Sequence, residues 1–255
     1  MSGETAHGPN ADATAMRAGW VCAELGPRKI EGTYGIVPLE TLPTLNVRFD
    51  GDFDWLTGPE GATPDLPDRV TECDVLQAQL HALGLELPED LRLYLCCSAV
   101  CARMDDESTT GCWTDPSPVL RPVGHPHAAC VRFLSDQQDC TAWYCWITPE
   151  DGWVVALWTR DDAAEEAMWR ALDTALEQDE TAEPLDAAIE LVDDVSVWVA
   201  PSVEAFVYRT LLECRAWHLL HPRRGRGPDE QILGGGPGVA EVRDYLDQMA
   251  HWPPE

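Results

Sequence analysis

From Val131 to Thr159 the apolar positions repeat every second residue. Val131 and Phe133 mark the inward side of one strand, and residues 135–139 (SDQQD) break the pattern as a turn. Ala142, Tyr144 and Trp146 then point one way, and Thr141, Trp143, Cys145 and Ile147 the other. Pro149-Glu150-Asp151-Gly152 reads as a second turn and Trp153–Thr159 as a third strand. The pattern predicts an antiparallel meander. Aromatic and β-branched residues on both sides predict a sheet covered on both faces, at least in part. VSVWVA (195–200) predicts a further strand.

Helical spacing appears on either side. Thr71-Glu72-Cys73-Asp74 resembles a capping box and predicts a helix start, with Cys73, Leu76, Leu80 and Leu83 on one face and Gly84 as the stop. Pro88 predicts the first position of a second helix, acidic in its first turn, with Leu91, Tyr94 and Leu95 inward. Ser202 predicts the cap of a helix over 203–220, with Phe206, Thr210, Cys214 and Trp217 on its inner face. A last short helix is predicted over 239–249. Residues 161–194 hold thirteen acids against Arg170, with an apolar stripe of Met168, Trp169, Leu172 and Leu176.

The expected organisation is a disordered tail (1–18), an extension of short strands (19–65), an α+β domain (66–220) carrying the acidic insert 161–194, and a linker with a C-terminal helix (221–255). The extension includes WVCAEL, GTYGIVPL and LNVRF, with 57–68 as a loop or linker. Gly234-Gly235-Gly236-Pro237-Gly238 lacks the Lys-Ser/Thr of a phosphate-binding loop and reads as a hinge.

Composition changes the picture mainly through charge. The chain has 255 residues, enough for one sizeable core, and a formal net charge of −28. Such a surface repels phosphate backbones and anionic membranes and favours a basic partner. Acidity that serves only solubility is the competing reading. The N-terminus lacks a basic start followed by an apolar stretch, and no run of 18 apolar residues occurs. The expected compartment is therefore the cytoplasm, where ten cysteines stay reduced. Neither nucleic acid nor membrane is an expected partner, and no cofactor is expected.

Three constellations could carry chemistry. Cys97, Cys101, Cys112, His125, His127 and Cys130 are weak zinc candidates, because tetrahedral sites favour paired spacings and no Cys-x-x-Cys occurs. Cys140 as a nucleophile would need a base in reach, and its neighbour Asp139 raises its pKa rather than lowering it. Abundant carboxylates read as a solvated acidic face. The knot Asp136-Gln137-Gln138-Asp139 reads either as a turn bonded to its own backbone or as a partner contact beside Trp143 and Trp146. Trp143, Trp146 and Trp158 are expected in the core of the sheet.

Three blocks then resemble one family in order. RVTECDVLQAQLHALGLELPEDLRLYL, RFLSDQQDCTAWYCWITPEDG and VWVAPSVEAFVYRTLLECRAW resemble the opening helices, central strands and closing strand-helix of the SUKH superfamily. That superfamily includes bacterial toxin-immunity proteins and a fungal cell-wall-synthesis regulator. The resemblance covers about residues 66–220. It implies an α+β single domain with a central antiparallel sheet flanked by helices. It also implies a non-enzymatic role: neutralising a toxin, often a nuclease, by direct binding. The insert 161–194 and residues 1–65 depart from the family pattern. Contact candidates are Asp136, Gln137, Gln138, Asp139, Asp161, Asp162, Glu165, Glu166, Asp173 and Glu177, for a basic partner such as a toxin domain. A regulatory scaffold for endogenous partners is the alternative, followed by a zinc-binding or thiol enzyme.

Overall fold

The computed structural model describes residues 16–22, 35–137, 141–158, 188–189, 196–220 and 235–250. The strands are β1 (Arg17–Ala18), β2 (Trp20–Cys22), β3 (Gly35–Val37), β4 (Trp113–Thr114), β5 (Arg121–Pro122), β6 (Ala129–Ser135), β7 (Thr141–Ile147), β8 (Gly152–Trp158), β9 (Ala188–Ile189) and β10 (Ser196–Ala200). The helices are α1 (Asp54–Thr57), α2 (Pro67–Ala82), α3 (Glu89–Cys96), α4 (Ser98–Glu107), α5 (Val203–Leu220) and α6 (Val239–Ala250).

The main sheet runs β1-β10-β8-β7-β6-β4. Its β10-β8-β7-β6-β4 part is antiparallel, as the period-two pattern predicts, and β1 joins β10 in parallel. Alternation sorts the side chains into two layers. Trp143, Cys145, Ile147, Val154, Ala156, Val197 and Val199 meet the helices in the larger core. Ala142, Tyr144, Trp146, Val155, Leu157 and Trp198 form a second core on the opposite face with Leu120 and Met16. A register shift between Arg132 and Leu134 lets two successive residues, Phe133 and Leu134, enter the same layer. The architecture is α+β, with a central sheet buried on both faces.

Several boundaries differ from the pattern. The first long helix begins at Pro67, with the proline at its first turn, and Thr71 lies inside it with its hydroxyl donating to the Pro67 carbonyl (3.1 Å). Pro pre-sets the helical φ and lacks an N–H that would otherwise go unbonded, so it starts the helix better than the threonine four residues on. Pro88 caps α3 from outside instead of occupying its first position. α4 forms where the pattern predicts no element. Arg17 and Ala18, placed in the tail, are a sheet strand. LNVRF is extended but unpaired with any strand: Leu45, Val47 and Phe49 instead pack beside α5 and α6. The insert 161–194 lies outside the described residues except for Ala188–Ile189, which pair in parallel with β5.

Candidate functional site

The helix α5 organises the molecule because it is buried on two sides. Val203, Phe206, Val207 and Leu211 face the main core, while Tyr208, Leu212 and Ala216 face a third cluster with Val242 and Tyr245 of α6. A helix so enclosed carries its polar residues inside, where each needs a partner. Ser202 caps it, its hydroxyl accepting from Ala205 N–H (3.1 Å), and the Asp90 carboxylate accepts from Glu204 N–H (3.0 Å). Glu204 in turn accepts from Gly51 N–H (2.6 Å), Phe53 N–H (2.9 Å) and Trp55 Nε1–H (2.9 Å). One carboxylate therefore holds the whole 51–55 turn, in which Phe53 takes a left-handed conformation (φ 58°).

Two turns along, Glu213 accepts from Trp20 Nε1–H (2.8 Å) and Tyr245 O–H (2.6 Å), tying β2 and α6 to the same helix. Arg215 pairs with Glu107 through two bonds, Nε to Oε2 (2.7 Å) and Nη2 to Oε1 (2.8 Å). Its Nη1 donates to the carbonyls of Gly235 (3.1 Å) and Pro237 (2.7 Å). The glycine-rich run expected to be a hinge is thus held down over 235–238. Gly235 sits at φ +86°, and a Cβ there would lie 2.1 Å from the Leu56 carbonyl oxygen, so glycine serves close approach.

Between α5, β7 and the residues after α4 lies a cleft of about 50 Å³. Trp20, Trp143, Phe206 and Trp217 supply aromatic walls, and Glu213 supplies the one formal charge in the lining. Ser108, Thr109, Thr110 and Thr210 add hydroxyls. Those four and Trp217 are half-buried, so the cleft reaches solvent on their side. The pattern of the sequence pointed at Trp143 and Phe206 only as core; Glu213 and the cleft carry no local motif.

The contact candidates divide. Asp136 is fully buried, and its Oδ1 accepts from Thr141 N–H (3.2 Å), which is the turn-holding role and removes it from the surface. Gln137 is exposed, its amide lying over Gly111. Gln138, Asp139, Asp161, Asp162, Glu165, Glu166, Asp173 and Glu177 lie outside the described residues, as does Cys140. The zinc candidates are separated by the sheet. Cys97 and Cys112 belong to the helical layer, whereas Cys130 is on the opposite face, near Trp146 with its edge-on His125 ring (5.0 Å). Cys101 is half-buried on α4 and His127 is exposed. Among the described residues no three His, Cys, Asp or Glu converge on a metal-sized site.

Burial governs the titrating groups. It pushes the Cys101 thiol up to about 11 and Cys214 up to about 12, and raises Cys73, Cys130 and Cys145 further. These thiols are protonated at neutral pH and are poor nucleophiles. Burial also raises the carboxyls of Asp90, Glu204 and Glu213 above their ordinary values of 3.8 and 4.5, against the hydrogen bonds that favour ionisation. A raised folded-state pKa means the native chain holds protons more tightly than the unfolded chain. From the ordinary carboxyl range upward, these three groups therefore make stability fall as pH rises. Self-repulsion at −28 acts in the same direction. The urea midpoint is expected to be higher near about pH 5 than near about pH 8, and Glu213→Gln is expected to flatten the slope. A midpoint that climbs across that range contradicts this account.

These features define an α+β protein whose buried acids hold segments in place beside an aromatic cleft. No family model, curated protein or solved structure matches the chain. No described helix is long and apolar enough to cross a membrane.

Proposed function

We infer that this protein is a non-enzymatic binding module of the immunity type, which neutralises a basic toxin domain by covering its surface. The observation that carries this reading is the anionic exterior. The formal charge is −28, and outside the expected insert the described stretch 50–74 is acidic as well: Asp50, Asp52, Asp54, Glu60, Asp65, Asp68, Glu72 and Asp74 are all exposed. Arg69 is the one base from Asp50 to Asp74 and pairs with Glu72 at 2.7 Å, while Arg48 and Arg92 from outside the stretch pair with Asp50 (2.6 Å) and Asp74 (3.7 Å). Such a field steers a cationic protein and raises its association rate. The SUKH resemblance of residues 66–220 points to the same class of activity, and the α+β architecture is compatible with it. The protected thiols and internally bonded acids fit a scaffold better than a reaction centre.

Co-expression with the product of an adjacent toxin-like gene tests this. The expected result is restored growth, a co-purifying complex, and an association rate that drops by about tenfold or more when Asp52, Asp54, Asp68 and Glu72 are changed to lysine. Continued toxicity with no complex formed removes the immunity reading. An association rate indifferent to salt removes its electrostatic basis.

A further inference from the structure

Cys73 and Cys96 meet inside the helical layer with their Sγ atoms 3.2 Å apart. Both are free thiols, 1 % and 0 % exposed. Cys73 lies on the inner face of α2 with Leu76 and Leu80, and Cys96 is the last residue of α3. Backbone bonds hold the two helices in this register. The Cys96 carbonyl accepts from Asp65 N–H (3.0 Å) and Leu66 N–H (3.1 Å), which fixes the entry of α2 against the exit of α3. The Asp65 carboxylate accepts in turn from Ser98 N–H (2.7 Å) and the Ser98 hydroxyl (2.5 Å). Arg92 of α3 reaches Asp74 of α2 at 3.7 Å.

From 3.2 Å, a gap of about 1.2 Å separates the sulfurs from a disulfide bond of about 2.05 Å. Side-chain rotation and a slight helix shift cover that distance. A second thiol in contact also changes the outcome of oxidation. A sulfenic acid standing alone goes on to the irreversible sulfinic acid, whereas one beside a thiol condenses with it.

We propose that Cys73 and Cys96 are an oxidisable dithiol, which a small hydroperoxide converts into a disulfide that staples α2 to α3. The size of the oxidant follows from burial. α2 packs by one face only, with Thr71, Glu72, Asp74 and Val75 exposed, so local lifting of the helix admits a reagent little larger than water. Burial raises both thiols above their ordinary value. The contact with Cys96 adds to this at Cys73, while at Cys96 the Cys73 thiol and the Arg92 charge work against it. Cys96 is therefore the sulfur that attacks. Its thiolate bonds to one peroxide oxygen, the O–O bond breaks, and the departing hydroxide takes up the Cys96 proton as water. Cys73 Sγ then attacks the Cys96 sulfenic sulfur, the S–O bond breaks, and the Cys73 proton leaves with the hydroxyl as a second water. Two electrons pass from the sulfurs to the peroxide. The bond spans 23 positions of chain, restricts the unfolded state, and ties down the helix that carries Asp68, Glu72 and Asp74. The dithiol stands independently of the binding reading above.

The test treats the full chain with hydrogen peroxide under native conditions, alkylates it after denaturation, digests it without reductant and maps the peptides by mass spectrometry. The expected product is a Cys73–Cys96 crosslink, two hydrogens lighter than the reduced pair and lost on adding dithiothreitol. The urea midpoint is expected to rise by about 1 M over the reduced chain. Cys73→Ala and Cys96→Ala are each expected to show no rise after the same treatment, and in Cys73→Ala the remaining Cys96 is expected to reach the sulfinic acid. Should either variant fail to fold, peptide mapping of the unsubstituted chain decides. Full alkylation of both cysteines after peroxide overturns the proposal. So does Cys96 recovered from the unsubstituted chain as sulfinic acid or joined to Cys97 or Cys101, and so does a Cys73–Cys96 crosslink that forms only in urea.

Discussion

Replacing Arg215 with alanine is expected to lower the unfolding free energy by about 3–5 kcal/mol, measured as a shift of the urea midpoint. The guanidinium is 1 % exposed and Glu107 is 5 % exposed, so the pair is dry. Without Arg215 the Glu107 carboxylate keeps one weaker partner, Arg103 at 3.3 Å, and must otherwise stay charged in a poor solvent or take up a proton. The loss extends beyond the pair. The Gly235 and Pro237 carbonyls lose their donor, and each costs about 1–3 kcal/mol if it stays buried and unpaired. Proteolysis at 235–250 is therefore expected to accelerate in the variant. The double change Arg215→Met with Glu107→Leu removes both charges and is expected to recover most of the loss, but not the part belonging to the two carbonyls. A midpoint unchanged in Arg215→Ala would show that the ion pair holds nothing down.

Phe206→Ala is expected to cost about 3–5 kcal/mol. The ring stands 5.6 Å from Trp20, 5.5 Å from Phe133 and 5.8 Å from Trp143, centroid to centroid. It therefore joins β2, β6 and β7 to the helix, and each aromatic contact adds about 0.5–1.5 kcal/mol beyond simple burial. Phe206→Leu keeps most of the apolar volume and is expected to lose clearly less. The comparison of the two in chemical denaturation separates packing from ring geometry. Equal losses would mean that the aromatic cluster has no special part in binding the layers together.

Elements governed by local rules were legible in the sequence. β6, β7 and β8 follow from strict alternation between turns of Asp, Gln, Pro and Gly, and the two-layer sorting of Tyr144 against Trp143 follows from the same period. α5 follows from Ser202 and the apolar spacing after it. The rest depended on distance. Arg17 and Ala18 have no strand signal of their own and become a strand because β10 offers an open edge. LNVRF has a strong strand composition, yet packing against α5 and α6 takes precedence over pairing. The acids were the hardest to read. Glu204 and Glu213 look like the outer face of an amphipathic helix until it is known that α5 is enclosed on both sides, and then they become the sites that hold remote loops. The cleft has no motif because its lining comes from β2, the 108–112 loop, β7 and α5, which only the tertiary fold brings together.

The pairing of Arg17 with Val197, and of Trp20 with Glu213, has a bearing on biosynthesis. On the ribosome the first strand emerges long before its mate, so the amino-terminal hairpin has nowhere to dock until α5 has cleared the exit tunnel. The nascent chain must keep Trp20 and Val21 from sticking elsewhere until β10 and α5 have been made, which exposes the late docking of this segment to chaperones and to aggregation.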